Sequence, residues 1–208
     1  MTKDSDTLKT GTTTLGLVCK DGIVLAADRR VTAGTLIANK KFTKIQEING
    51  KMAVTIAGTV SDVQLLVKLL KAEIRLKSIR TAKDVDVKSS ANLLAGMVYS
   101  NIRKMSMIPG VSHFLFGGTD NKGFELYDIY PDGSVTQVDD FVASGSGSVF
   151  VFGVLETQYK LGMSIDEGVE LAETAIRAAL RRDSASGNGI DVIAITKEGM
   201  QKKVSKVI

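Results

Sequence analysis

The chain has 208 residues, enough for one domain with a sizeable hydrophobic core. Its 27 basic and 23 acidic residues nearly balance, so we expect no nucleic-acid partner, and with no apolar run of about 18 residues we expect no membrane association. One cysteine and one histidine cannot form an internal disulfide or a usual zinc site. We therefore expect a cytoplasmic protein whose chemistry needs no metal or cofactor.

The first half of the chain is predicted to form two hairpins followed by two helices. The hairpins turn at Asp21-Gly22 and at Asn49-Gly50, the second being a dipeptide typical of type I′ turns. Their strands are the apolar runs Thr13–Val18, Ile23–Ala27, Phe42–Ile48 and Met52–Ala57. Apolar residues at helical spacing then predict one helix from Val60 to about Leu76 and another from about Val87 to Met105.

The second half repeats this order of strands, then helices, and ends in strands. A third helix follows Ser146–Ser148 and extends to about Tyr159. A fourth begins at Ser164, which with Glu167 forms a capping box. The predicted strands of this half are Ser112–Gly117, Phe124–Ile129, Ser134–Val138, Ile190–Thr196 and Met200–Val207.

Consecutive helix pairs between sets of hairpins argue against the strict alternation of strand and helix in a parallel sheet. Antiparallel sheets with apolar faces need to be covered on both sides. Two sheets that stack on each other, with helices on the outside, meet this requirement. The sequence therefore predicts an α+β fold, a four-layer αββα sandwich of two stacked antiparallel sheets flanked by helix pairs.

The junction between Gly11 and Thr12 indicates a processed nucleophile, because the polar residues before it look dispensable and a buried strand follows. A threonine hydroxyl is a poor nucleophile. If the bond before Thr12 is cut, the freed α-amine, with a pKa of roughly 7.7–8, can accept the hydroxyl proton. We expect residues 1–11 to be a propeptide removed by self-cleavage, leaving 12–208 as one catalytic domain.

Other polar residues stand where predicted strands and helices begin or end, and each alone has an ordinary structural explanation. They are Asp28, Lys44, Gly58, Ser146, Asp183 and Ser186. His113 lies in a strand pattern typical of a core or edge histidine, with a catalytic base as the alternative. Cys19 ends an apolar strand and is expected to be structural rather than a nucleophile.

Taken together, these residues resemble the proteasome β subunits, most closely the archaeal kind. The resemblance runs from Gly11 almost to the C-terminus. It rests on several motifs in the right order, which are Thr12-Thr13-Thr14-Leu15-Gly16, Ala26-Ala27-Asp28-Arg29-Arg30-Val31-Thr32, Ile56-Ala57-Gly58, Gly145-Ser146-Gly147-Ser148 and Arg182-Asp183-Ser184-Ala185-Ser186-Gly187.

The resemblance implies a threonine endopeptidase with Thr12 as nucleophile and Gly11–Thr12 as the cleavage site. Lys44 would place a cation near the Thr12 hydroxyl, and Asp28 would hold Lys44. The Gly58 amide would serve as oxyanion donor, and Arg30 as a structural partner below the site. Ser146, Asp183 and Ser186 would surround the threonine amine. Substrate would be bound by Val31, Thr32, Phe42, Gln46, Ile56 and Val60, with a preference for cleavage after large hydrophobic residues.

The resemblance also implies partners. These are copies of the chain in a homo-heptameric ring stacked as a pair, α subunits on either side, an ATP-dependent unfoldase beyond them, and protein substrates. Two alternatives are an inactive structural β subunit and a stand-alone N-terminal-threonine amidase. A pure binding module is a third.

Overall fold

The computed structural model describes residues 11–107 and 109–208, which form twelve strands and four helices. The strands are β1 (Thr14–Cys19), β2 (Gly22–Asp28), β3 (Val31–Ala33), β4 (Leu36–Asn39), β5 (Ile45–Asn49), β6 (Met52–Gly58), β7 (Ser112–Asp120), β8 (Gly123–Ile129), β9 (Val135–Val138), β10 (Phe141–Ser144), β11 (Ile190–Thr196) and β12 (Gly199–Lys206). The helices are α1 (Val60–Thr81), α2 (Val87–Ile102), α3 (Ser148–Gln158) and α4 (Ile165–Leu180).

Two antiparallel sheets of five strands lie face to face between the helix pairs. The first sheet has the order β10-β1-β2-β11-β12 and the second β5-β6-β7-β8-β9, while β3 and β4 form a separate hairpin. Helices α3 and α4 share an apolar cluster with the first sheet, and α1 and α2 share one with the second. A third cluster fills the space between the sheets. The predicted αββα sandwich is confirmed.

Strand β2 shows how the sequence specifies these layers. Ile23 and Leu25 belong to the cluster between the sheets, and Val24 and Ala26 to the cluster beneath α3 and α4. Successive side chains of a strand point to opposite faces, so a strand covered on both sides is apolar throughout. The apolar run ends before Asp28, which lies buried at the end of this central strand.

Helix α4 begins where the capping box predicted. The Ser164 side chain accepts a hydrogen bond from the Glu167 amide, and the Glu167 carboxylate accepts one from the Ser164 amide. Asp21, in the hairpin between β1 and β2, accepts a further bond from the Ile165 amide at 2.9 Å. These contacts satisfy N–H groups that a helix start leaves unpaired and fix α4 against the first sheet.

Some predicted boundaries were wrong. Helix α1 continues to Thr81. The prediction ended it near Leu76 because the last turn of the helix is mostly exposed and shows no apolar periodicity. Helix α2 ends at Ile102 rather than Met105. The sequence did not predict β3 or β10, which have three and four residues, or β4, which is exposed along its whole length. Each is too short to show the alternation on which the predictions depended.

The hairpin at Asn49-Gly50 is confirmed, but its turn type was wrong. Asn49 pairs with Met52, so the loop is Gly50-Lys51, and neither Gly50 nor Lys51 has the positive φ that a type I′ turn requires at both central residues. The Asn49 side chain instead accepts a hydrogen bond from the Lys51 amide at 3.0 Å. An asparagine that bonds its own backbone two residues on supplies the turn.

Strand β5 begins at Ile45, three residues later than predicted. The segment before it is not a strand, so strand alternation does not place Phe42 and Lys44 on one face. Phe42 packs against the cluster beneath α1 and α2, whereas Lys44 is buried against Asp28.

Among the described residues, no helix is both long and apolar enough to cross a membrane.

Candidate active site

The ends of strands from both sheets meet at one edge of the sandwich. Because β1 and β2 are antiparallel, Thr12 before β1 lies beside Asp28 at the end of β2. The antiparallel pair β5 and β6 likewise brings Lys44, before β5, to the side where β6 ends at Gly58. All six residues predicted to be catalytic are joined there by hydrogen bonds that the next paragraphs describe.

Thr12 is held at both its hydroxyl and its nitrogen. Its hydroxyl donates to the Gly11 carbonyl at 2.7 Å, and its amide donates to Ser146 Oγ at 3.3 Å. The Gly11 amide donates in turn to Thr32 Oγ1 at 2.8 Å. A Cβ at position 11 would lie 1.9 Å from Ala185 Cβ, so the space accepts only glycine. The bond predicted to be cleaved is therefore fixed in one conformation.

Lys44 and Asp28 form a buried ion pair, with 2.6 Å between Nζ and Oδ1 and side chains only 2% and 0% exposed. Lys44 Nζ also donates to the Gly11 carbonyl at 3.3 Å. Burial lowers the pKa of the Lys44 ammonium below its ordinary value of 10.5, and attraction to Asp28 opposes part of that shift. The pair places a desolvated cation beside the carbonyl that Thr12 also contacts.

Asp28 is fixed by backbone groups as well as by Lys44. Its Oδ1 accepts from the Thr13 amide at 2.9 Å, and its Oδ2 accepts from the Arg30 and Gly187 amides at 2.9 and 3.0 Å. A buried carboxylate is tolerated where several donors satisfy its lone pairs. These bonds orient the carboxylate that contacts Lys44.

Asp183 links two serine hydroxyls on the other side of Thr12. Ser146 and Ser186 both donate to Asp183 Oδ2, at 2.7 and 2.6 Å. The chain of bonds continues from Ser186 Oγ to Thr13 Oγ1 at 2.6 Å. Thr13 also donates its amide to Asp28, so it connects the two halves of the site. The sequence reasoning missed Thr13, because nothing distinguishes its hydroxyl from those of its threonine neighbours.

Two glycines at the ends of strands, Gly58 and Gly145, allow close contacts between backbone segments. Gly58 has a φ of +117°, and a Cβ there would lie 2.2 Å from the Val111 carbonyl oxygen. Gly145 has a φ of +90°, and its Cβ would lie 2.0 Å from the Thr12 carbonyl oxygen. Both positions combine a left-handed conformation with contact too close for any side chain.

Arg30 supports the loop that carries Asp183 and Ser186. Its guanidinium donates to the Ser184 carbonyl and to Asn188 Oδ1, both at 2.8 Å. Through its own amide it also contacts Asp28. Arg30 thus joins the end of β2 to the loop after α4.

The residues predicted to bind substrate lie at different depths. Thr32 and Ile56 are buried, while the others are partly exposed, namely Val31, Phe42, Gln46 and Val60. Ile56 and Phe42 belong to the cluster beneath α1 and α2, and the Gln46 amide donates to the Thr43 carbonyl at 2.8 Å. Thr32 contacts the backbone of Gly11, as a residue that binds an extended chain would do.

Cys19 lies at the opposite end of β1 from Thr12. Burial, together with the nearby Asp21 and Glu167, raises the pKa of its thiol to about 12. The thiolate is the reactive form of cysteine, so a thiol with this pKa is a poor nucleophile near neutral pH.

Comparison with known families gives a class that fits this architecture. The family model described as "Proteasome subunit" matches residues 8–195. A proteasome subunit beta of Ferroglobus placidus is 45% identical over 188 residues, covering 90% of this chain and 88% of its own. One of Archaeoglobus profundus is 44% identical over 207 residues, covering 98% and 94%. A proteasome subunit beta 1 of Thermococcus gammatolerans is 42% identical, covering 92% of each chain.

The match extends over most of the chain and covers the positions of all six residues predicted to be catalytic. The chain therefore belongs to the proteasome β-subunit family.

Proposed function

We propose that this chain is a threonine endopeptidase, the catalytic β subunit of a proteasome core particle that degrades unfolded proteins to short peptides. The observation that carries the proposal is the buried contact of Thr12 and Lys44 with the same Gly11 carbonyl, at 2.7 and 3.3 Å. A nucleophile and a desolvated cation that meet at one carbonyl are what acyl transfer requires.

In the mature enzyme, the free amine of Thr12 is the general base. It accepts the proton of the hydroxyl as that oxygen attacks the substrate carbonyl, and later passes a proton to the leaving amine. The Lys44 ammonium favours the alkoxide-like form of the hydroxyl and opposes protonation of the neighbouring amine. Asp28 holds Lys44, the Gly58 amide stabilises the oxyanion, and Ser146, Asp183 and Ser186 orient the amine and relay protons.

Self-cleavage uses the same residues before the amine exists. The Thr12 hydroxyl attacks the Gly11 carbonyl carbon, and the peptide bond is exchanged for an ester on Oγ1. Water then hydrolyses the ester, which leaves a carboxylate on Gly11 and a free amine on Thr12. Because an amide nitrogen cannot act as base, a water molecule takes the first proton. Lys44, already bonded to the Gly11 carbonyl, stabilises the charge that develops on its oxygen.

An enzyme of this kind needs confinement. We propose that copies of the chain form a homo-heptameric ring, that two rings stack, and that α subunits enclose them and receive substrate from an ATP-dependent unfoldase in the cytoplasm. The relatives are named as subunits, and this supports the proposal that the chain assembles with others.

The test is N-terminal sequencing and intact-mass analysis of the protein purified with its assembly partners. We expect a mature chain that starts at Thr12, hydrolyses fluorogenic peptides, and gains the mass of a peptide boronate or epoxyketone on Thr12. An unprocessed chain that is still peptidase-active would contradict the mechanism. A monomer that turns over only small amides would contradict the assembly.

A second prediction concerns substrate preference. The proposed pocket is mostly apolar and has no charged residue, and burying an unpaired charge costs several kcal/mol. We expect peptides ending in Leu, Phe or Tyr to be cut at least about tenfold more efficiently, in kcat/KM, than those ending in Arg or Asp. Faster cleavage after Arg or Asp by the unmodified chain would contradict this pocket.

A matched pair of variants tests whether Val60 lines that pocket. Val60 is the first residue of α1, where a carboxylate is compatible with the helix dipole. Val60→Glu should therefore fold and shift the preference towards Arg. Val149→Glu puts the same change near the start of α3, at a position 65% exposed, and should leave the preference unchanged.

A further inference from the structure

A second array of polar side chains connects the two sheets just below the candidate active site. His113 Nδ1 lies 2.7 Å from Ser144 Oγ, and its Nε2 lies 2.6 Å from Asp128 Oδ1. The ring stacks on Tyr130 with 5.1 Å between centroids. Ser144 and Asp128 are each 3% exposed, and the His113 side chain 18%. We refer to Ser144, His113 and Asp128 as the cross-sheet array.

The chemistry of the three groups fixes the direction of these hydrogen bonds. A carboxylate only accepts, so Asp128 takes the hydrogen from Nε2. In the neutral ring Nδ1 is then the acceptor, and the Ser144 hydroxyl donates to it. The hydrogen bonds therefore run in one direction, from Ser144 to His113 and from His113 to Asp128.

The array does not contain a second nucleophile. Ser144 Oγ is buried between the sheets, where a peptide cannot reach it. Within the described part of the chain, His113 forms its hydrogen bonds with Ser144 and Asp128, not with Thr12 or Lys44. The function of His113 must therefore be exerted through the strands that it connects.

Those strands lead directly to two parts of the site. Ser144 is the last residue of β10, and the next two residues are Gly145, which packs on the Thr12 carbonyl, and Ser146, whose Oγ lies 3.3 Å from the Thr12 nitrogen. On the second sheet, His113 pairs with Ala57, next to Gly58. The array thus joins the first sheet, two residues before the Ser146 that contacts the Thr12 nitrogen, to the second sheet, where β6 ends at Gly58.

We propose that His113 is a positioning residue for the reaction of Thr12. Through its contacts it fixes the distance between the loop that carries Ser146 and the end of β6. This inference rests on the proposed function. Catalysis needs the base and the oxyanion donor to be placed together, and a displacement of about 1 Å can cost about 10² in rate. Thr32 and the other residues proposed to bind substrate lie outside the array, so substrate affinity should change little.

The test compares His113→Leu with His113→Gln in the processed, assembled protein. Leucine fills the space but breaks both hydrogen bonds, and we expect kcat to fall about 10²-fold with KM within about twofold. The glutamine amide can donate to Asp128 and accept from Ser144, so it should restore at least about a tenth of the wild-type kcat. The rate of Thr12 labelling by a peptide epoxyketone should follow kcat.

Ser144→Ala provides a smaller change in case the leucine variant fails to fold. It removes only the hydroxyl that His113 contacts and should lower kcat about tenfold with KM retained. Unchanged kcat in His113→Leu or Ser144→Ala, a change confined to KM, or equal loss in the leucine and glutamine variants would overturn the inference. Failure of the proposed function gives a different result, because the wild-type protein itself would then lack Thr12-dependent hydrolysis. The two failures are therefore distinguishable.

Discussion

Thr12→Ala should leave residues 1–11 attached and reduce peptide hydrolysis by about 10⁴-fold or more, to background. The variant lacks the only atom that can form the acyl intermediate, both in self-cleavage and in the mature enzyme. Among the described residues the lost hydroxyl bonds only the neighbouring Gly11 carbonyl, so the free energy of unfolding should change by about 1 kcal/mol or less. Intact mass, peptide hydrolysis and thermal unfolding measure the three effects separately.

Two controls accompany this variant. Thr12→Ser keeps a hydroxyl but loses the β-methyl that restricts χ1, so it should be processed and retain reduced activity. Thr136→Ala removes a threonine hydroxyl from an exposed position of β9 and should behave like the unmodified chain. A Thr12→Ala protein that is still trimmed at residue 11 and still cleaves peptides would rule out Thr12 as the nucleophile.

The sequence predicted much of this site because strand ends are easily recognised. Asp28 and Gly58 each follow an apolar run, and antiparallel pairing brings such ends to a common edge. The position of Lys44 relative to Asp28 was not predictable from alternation, because the segment from Phe42 to Lys44 is not a strand. Its role in the sequence reasoning came entirely from the family resemblance.

Other parts of the site depend on contacts between distant segments. The crowding of Gly11 comes from Ala185, and the bond between Thr13 and Ser186 joins residues 173 positions apart. His113 was predicted to be a core or edge residue, but its partners lie on two other strands, one of which, β10, was not predicted. Periodicity reports which face of an element is apolar, and it cannot report which polar groups meet across two sheets.

Lys44→Ala should fold and be inactive, with peptide hydrolysis reduced by about 10³-fold or more. Removing one partner of a buried ion pair typically costs about 3–5 kcal/mol, because the other charge remains in the interior. Asp28 still accepts hydrogen bonds from three backbone amides, which should keep the variant folded at a lower Tm. Lys51→Ala is the matched control, since it breaks the exposed ion pair with Asp84 and should change neither activity nor Tm.

The loss of peptide hydrolysis in Lys44→Ala could arise from failed self-cleavage alone, so the mature reaction needs a test of its own. A Lys44→Ala chain released from a fusion so that it begins at Thr12 has the free amine without processing, and it should remain inactive. The wild-type pH profile gives an independent check. Because burial lowers the pKa of Lys44, its charge is lost as pH rises through a value below the ordinary 10.5, and kcat/KM should fall there. Activity sustained above that pH, or near-normal turnover by the pre-trimmed Lys44→Ala chain, would remove the lysine cation from the mechanism.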